Sequence, residues 1–238
     1  ARELRPYVKT GQLLVCVAEG IEEKSLLFQT DEVQEEIPDA VVACLSGPSH
    51  AEEVARRLPT TCVAGAADSA VAEQVQALFM NRVFRVYTST DVKGIELGGA
   101  VKNVIALAAG IADGLGYGDN TKAALITRGI AETARLGVKL GAHWETFAGL
   151  TGIGDLIVTC ASMHSRNRRA GILIGQGKPV EEAMREVGQV VEGVYSAKAA
   201  LALAEREQVE MPIVDVVNRV LFSELPAAEA VRMLMERD

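Results

Sequence analysis

A chain of 238 residues, 49% hydrophobic and 24% charged, has the composition of an ordinary soluble protein of one large or two modest domains. Its formal charge of −8 excludes the basic face that nucleic-acid binding needs, so short basic runs require a local explanation. No apolar run is expected to reach the length of a membrane span, and no signal peptide opens the chain. The start, A-R-E-L-R-P-Y, reads as the tail of a helix entered midway. Up to about residue 90, short β-branched runs alternate with polar amphipathic stretches. Strands are predicted over residues 13–18, 41–45, 60–64 and 83–87, with helices over 22–35, 49–57 and 68–79 between them. Such alternation predicts an α/β unit built on a mostly parallel, doubly wound sheet. Beyond residue 90 the strand signal disappears. An alanine- and leucine-rich helical pattern runs to Arg237, interrupted by glycine loops at 114–118, 149–154 and 175–177. The expected division is therefore 1–90 and 91–238, the second part all-α.

Cys16, Cys44, Cys62 and Cys160 are far apart and form no C-x-x-C pair. Three of them lie in apolar strand-like runs, where cysteine behaves as a small buried hydrophobe, which suits a reducing cytosol. His50, His143 and His164 show no metal-ligand spacing, so no metal site is expected.

The most informative segment is I-E-L-G-G-A-V-K-N at 95–103, read as the start of a helix. Gly98 and Gly99 precede Lys102 by four and three residues, and helical side chains lean toward the N-terminal turn. The lysine therefore extends over bare backbone, where a small substrate could sit under its ammonium. The alternative is tight helix packing with a lysine that snorkels to water. Doubly wound sheets usually bind nucleotides through a glycine-rich turn after the first strand, but G-x-G-x-x-G is absent. Gly114, Gly116 and Gly118 have the wrong spacing and follow a helix. Either the sheet binds no dinucleotide, or the part holding the pyrophosphate lies upstream of Ala1; the truncated-looking start favours the latter.

Three further clusters carry chemistry. S-G-P-S-H-A-E-E at 46–53 follows a strand and opens a helix that Ser49 can cap, leaving free N–H groups for an oxyanion or phosphate. An ordinary capped turn has the same pattern. G-I-G-D-L-I-V-T at 152–159 sets Asp155 and Thr159 on one face if a helix starts at Asp155, although aspartate in a first turn also stabilises the helix dipole. H-S-R-N-R-R at 164–169 is commonly a solvated helix face, yet guanidinium and amide donors also fit a phosphate. Arg168 and Arg169 are then expected to point to solvent.

Taken together, L-S-G-P-S-H-A-E-E at 45–53, G-G-A-V-K-N at 98–103, G-I-G-D-L-I-V-T-C at 152–160, S-R-N-R-R at 165–169 and V-V-E-G-V at 190–194 resemble the bacterial-type NAD(P)-dependent glycerol-3-phosphate dehydrogenases. The resemblance covers essentially the whole chain. It implies the C-terminal half of a Rossmann-type dinucleotide-binding domain over 1–90, an all-helical substrate domain over 91–238, and an active site between them. It implies reversible reduction of dihydroxyacetone phosphate to sn-glycerol 3-phosphate with NAD(P)H, supplying the glycerophospholipid backbone in the cytoplasm, by a homodimer. Carried over, Lys102 transfers the proton, with Asp155 and Thr159 orienting it and the triose. Gly47 and Ser49 line the substrate site, and Ser165, Arg166 and Asn167 grip the phosphate end. Ala51, Arg166, Val190 and Glu192 touch the cofactor.

Two departures qualify what the resemblance implies. Where the family has a lysine that contacts substrate and cofactor, this chain has Glu19, expected to repel the phosphate and weaken binding. The first half of the Rossmann domain is absent, so the chain as written is expected to bind NAD(P)H poorly. Two alternatives remain: a catalytically inactive relative that keeps the helical domain for assembly, and a related dehydrogenase of another small oxo- or hydroxyacid.

Overall fold

The computed structural model describes residues 1–237; Asp238, the last residue of the expected helical part, lies outside the described residues. The helical tail expected at the start is a turn that closes in a short 3₁₀ segment, Arg5–Tyr7. Four strands follow: β1 (Leu13–Cys16), β2 (Val41–Ser46), β3 (Thr60–Gly65) and β4 (Phe84–Ser89), side by side in chain order. β1 pairs with β2, and β3 with β4, in parallel, whereas β2 and β3 run antiparallel with Cys44 opposite Gly65. The sheet is thus mostly parallel, as the alternation predicts.

Helices α1 (Gln29–Glu36), α2 (Ala51–Ala55) and α3 (Ser69–Phe79) link the strands. Two depart from expectation. The helix predicted from residue 22 begins only at Gln29. Glu22 instead turns its carboxylate onto the Lys24 and Ser25 amides at 2.8 and 2.5 Å, and Leu26 at φ +58° closes a non-helical turn. α2 has five residues rather than nine, because antiparallel neighbours need no full crossover helix. Its N-cap is His50, without a side-chain bond; Ser49 does not cap it but donates to the Gly47 carbonyl at 3.0 Å.

From Val92 onward the described chain is helical. α4 (Val92–Gly114) is followed by α5 (Asp119–Lys139), α6 (Trp144–Phe147), α7 (Asp155–Ala161), α8 (Arg166–Gly175), α9 (Val180–Val187), α10 (Glu192–Arg206), α11 (Pro212–Phe222) and α12 (Ala227–Met235). The stretch predicted as a loop at 149–154 is one π-helical turn, Leu150–Gly154, kinked at Gly152 and running straight into α7. α4 also corrects the expectation that no run reaches membrane-span length: it is long and apolar enough, but its apolar window is wholly buried by neighbouring helices. It is apolar all round because it is the axis of the helical part.

Glycines set how closely the neighbours approach that axis. α8 crosses α4 at Gly110 and Gly114, meeting them with Gly171 and Gly175. A Cβ at Gly110 would collide with the Arg168 carbonyl oxygen, and one at Gly171 with that of Leu107. Both obstacles are backbone and cannot swing aside. Gly171→Ala is expected to lower the unfolding free energy by at least ~2 kcal/mol through overpacking, a shift that thermal unfolding would register.

Two helices take their N-terminal caps from a distance. Phe28 and Met211, the residues preceding α1 and α11, have no side-chain acceptor. The Glu96 carboxylate on α4 accepts from the Thr30 amide at 2.9 Å and its hydroxyl at 2.5 Å, while Glu132 on α5 accepts from the Ile213 amide at 3.0 Å. Burial pushes both carboxyls up to about 7, outweighing these hydrogen bonds. With the folded-state value raised, the native protein binds the extra proton between pH ~4.5 and ~7, so each group's stabilising contribution is lost as pH rises through that window. Glu96→Gln keeps an acceptor for Thr30 but cannot ionise. Its stability should gain on the parent's by up to ~3 kcal/mol between pH 5 and 8, and parallel urea-unfolding curves would refute the assignment.

Candidate functional site

A cavity of about 470 Å³ opens where the carboxyl ends of β1 and β2 face α4, α7, α8 and the start of α10. Its lining includes Gly47, Ser49, Ala51, Lys102, Asp155, Thr159, Ser165, Arg166, Asn167 and Glu192, so every residue to which the resemblance gives a catalytic, substrate or cofactor role meets there except Val190. Val190 lies one residue from Gln189, which does line the cavity, and is 58% exposed.

Lys102 sits in the third turn of α4, not at the helix start, and is only 8% exposed. It does not snorkel. Its Nζ is held by Asp155 Oδ2 in a short ion pair and by Glu19 Oε2 at 2.6 Å. The paired glycines have separate reasons. At Gly98 a side chain would strike the Thr151 carbonyl in the π-turn, which is the packing explanation. At Gly99 it would lie 3.1 Å from the Glu19 carboxyl carbon, so the open face beside Lys102 is occupied by Glu19. Glu19 Oε1 in turn accepts from Ser46 Oγ at 2.8 Å. The carboxylate expected only to repel an anion is therefore engaged with the catalytic candidate itself. Burial alone would lower the Lys102 ammonium; the two carboxylates outweigh it and hold it well above the usual lysine range.

The remaining walls follow from helix starts. α7 begins at Asp155, and the Thr159 hydroxyl, one turn on, donates to the Asp155 carbonyl at 2.6 Å and lies 3.3 Å from Oδ1. Ser165 caps α8, its hydroxyl accepting from the Arg168 amide at 3.2 Å. Asn167 is buried. Its amide donates to Asn103 Oδ1 and accepts from the Gly193 amide, both at 2.8 Å, tying α8 to α4 and α10. Arg166 pairs with Glu192 at 2.6 Å. Arg168 does not point to solvent: it bonds to Asp113 at 2.8 Å and the Ala161 carbonyl at 2.6 Å. Arg169 is partly buried, its Nε without a partner among the described residues.

Sequence reasoning missed several lining residues. Ser46 and Asn103 act by holding other site residues, and no spacing rule reveals that. His50 and His164 face each other across the rim with ring centroids 5.8 Å apart, and His50 Nε2 is buried without a partner among the described residues. They are far apart in sequence, so only the fold joins them. Cys62 also lines the cavity, but burial pushes its thiol up, which argues against a thiolate nucleophile. All four cysteines are free.

Comparison with known proteins fits this geometry. Residues 91–232 match the family described as NAD-dependent glycerol-3-phosphate dehydrogenase C-terminus, and residues 1–72 match its N-terminus. The chain belongs to the NAD-dependent glycerol-3-phosphate dehydrogenase family. A glycerol-3-phosphate dehydrogenase [NAD(P)+] of Agathobacter rectalis is 67% identical over the full chain, which spans 71% of that relative. One of Fusobacterium nucleatum is 60% identical, with 72% of its length covered. The crystal structure of a glycerol-3-phosphate dehydrogenase from Coxiella burnetii superposes with a TM-score of 0.95 at 38% identity, over 99% of this chain and 72% of that one. Like its family, this glycerol-3-phosphate dehydrogenase homologue is an oxidoreductase with a Rossmann-type sheet followed by a helical part.

The Asn103–Asn167 bond gives the site of this dehydrogenase homologue a stability signature. Asn103→Ala leaves a buried amide hydrogen of Asn167 unpaired. The variant is expected to lose ~2 kcal/mol of unfolding free energy, whereas an unchanged melting curve would mean that the bond is not made.

Proposed function

We propose that this chain reduces dihydroxyacetone phosphate to sn-glycerol 3-phosphate, reversibly and with NAD(P)H, residues 1–90 serving the nucleotide and 91–238 the triose. The observation that carries the reading is one cavity shared by two kinds of group. The Lys102 ammonium, bonded to Asp155, lies on one wall, and the start of α8, with Ser165, Arg166 and Asn167, lies on another. The first suits a carbonyl oxygen that must take up a proton. The second suits a phosphate, for which a helix N-terminus and a guanidinium are the usual donors.

Lys102 donates its proton to the alkoxide that develops at the triose carbonyl and recovers it in oxidation. Asp155 fixes the direction of the ammonium, and the Thr159 hydroxyl braces Asp155. Gly47 and Ser49 border the triose. The donor set at the rim fits a dinucleotide: Arg166 commits one nitrogen to Glu192 and makes no other hydrogen bond among the described residues, and the Glu192 carboxylate suits ribose hydroxyls. Bound NAD(P)H supplies the hydride. Ala51 and Val190 complete that edge.

A supply of glycerophospholipid backbone follows from the product's chemistry. A cytoplasmic location accords with four free cysteines, and a homodimer is the family expectation. These belong to the same proposal.

A second reading, a relative that has lost activity, is favoured by the charge of the cavity. Four carboxylates, Glu19, Glu52, Asp155 and Glu192, line it against two fixed cations, Lys102 and Arg166. Steady-state kinetics separate the readings. Lys102→Met should lower turnover of dihydroxyacetone phosphate by ~10²–10⁴, the usual worth of a positioned acid. Unphosphorylated dihydroxyacetone should be used far less well, and equal use would remove the phosphate from the proposal. Glu19→Lys exchanges a repulsive charge for an attractive one and should lower KM for the triose phosphate. Identical kinetics of the two chains would show that Glu19 does not impede the substrate.

A further inference from the structure

The Glu19 carboxylate is not loosely placed. One oxygen takes the Ser46 hydroxyl at 2.8 Å, the other takes Lys102 Nζ at 2.6 Å, and the missing side chain of Gly99 leaves the room it occupies. Asp155 grips the same ammonium from α7. A buried lysine beside one carboxylate forms a balanced pair; beside two it carries an excess of negative partners. We propose that Glu19 is a positioning residue: anchored by Ser46 and seated over Gly99, it clamps the Lys102 ammonium together with Asp155 and keeps it a proton donor. The inference rests on Lys102 being the proton-transferring group and goes beyond it, since it assigns a task to a carboxylate that the sequence alone reads as one that repels the substrate.

The surrounding charges support the assignment. Facing the cavity are Glu19 from the segment after β1, His50 and Glu52 at α2, Cys62 on β3, Asp155 on α7, His164 and Arg166 at α8, and Glu192 on α10. Arg166 and Glu192 pair with each other, and the two histidines face each other at the rim. Among the described residues only Glu19 and Asp155 lie within ion-pair distance of Nζ. Burial favours loss of the proton, and Asp155 by itself opposes that with one charge. Glu19 tips the sum firmly toward the ammonium.

The consequence is a pH profile. Oxidation of glycerol 3-phosphate requires Lys102 to begin neutral, so its rate should climb with pH and show no plateau in the accessible alkaline range. Glu19→Gln keeps the hydrogen-bonding shape and removes the charge. It should bring the plateau into range, lowering the pH of half-maximal rate by at least one unit, which raises the neutral fraction about tenfold at a given pH below it.

The direct readout needs no turnover. NMR of the lysine ¹³Cε signals in the full chain, with Lys102 assigned by its loss in Lys102→Met, follows the proton itself. The Lys102 signal should show no titration up to the alkaline limit of folding in the parent and should titrate earlier in Glu19→Gln. Ser46→Ala, which loosens the anchor but keeps the charge, should give a smaller shift in the same direction and serves if Glu19→Gln does not fold. If Lys102→Met retains full turnover, the role of Lys102 is wrong. If Lys102→Met abolishes turnover while neither Glu19→Gln nor Ser46→Ala moves the Lys102 titration, the lysine reading stands and the clamp is refuted.

Discussion

Everything in the helical part is arranged around a helix that has no free side. α4 is buried from Gly94 to Ala112, and each neighbour must be met by something small, apolar or fully bonded. Where backbones cross, glycine is the small thing, at Gly98, Gly110 and Gly114. Where polarity enters, it is bonded at once: Glu96 to Thr30, Asn103 to Asn167, Lys102 to its two carboxylates. An unpaired charge on such a helix would cost several kcal/mol, so the site and the core cannot be designed separately.

That constraint explains the form of the chemistry. A lysine exposed to water would be charged and mobile; one buried alone would be neutral. Placed on α4, with Asp155 at the start of α7 and Glu19 both bonded to it, it is a paired cation that faces a cavity. The wall across the cavity is built by the same economy of helix starts. Ser165 caps α8 and Asn167 braces it against α4 and α10, so the donors are presented by packed helices and not by a loose loop.

Much of this was legible in the sequence, for identifiable reasons. The strands show because β-branched runs recur between polar stretches, and the change from strand to helix near residue 90 shows because that alternation stops. The spacing of Asp155 and Thr159 sets them on one helical face, and a helix does start at Asp155. Other features depend on contacts no local pattern encodes. The segment from Glu22 carries helical composition, but one carboxylate folding back on the Lys24 and Ser25 amides overrides it. Arg168 reads as a solvated charge until Asp113 is brought beside it. Glu19 reads in the sequence as a charge that repels an anion, yet its partner lies on a helix far along the chain, so no local pattern carries its contact with Lys102.

The stretch from the end of β1 into the first turn of α1 is fastened to α4 twice, through Glu19 to Lys102 and through Thr30 to Glu96, with Ile21 and Phe28 sunk into the helical core between those points. A strap tied to a rod at two places resists twisting as well as pulling. The edge of the sheet that carries this strap is thereby joined to the helices by a charged tie and a neutral one, whereas the short turn that carries Ser49 and His50 makes no side-chain hydrogen bond to α4 among the described residues.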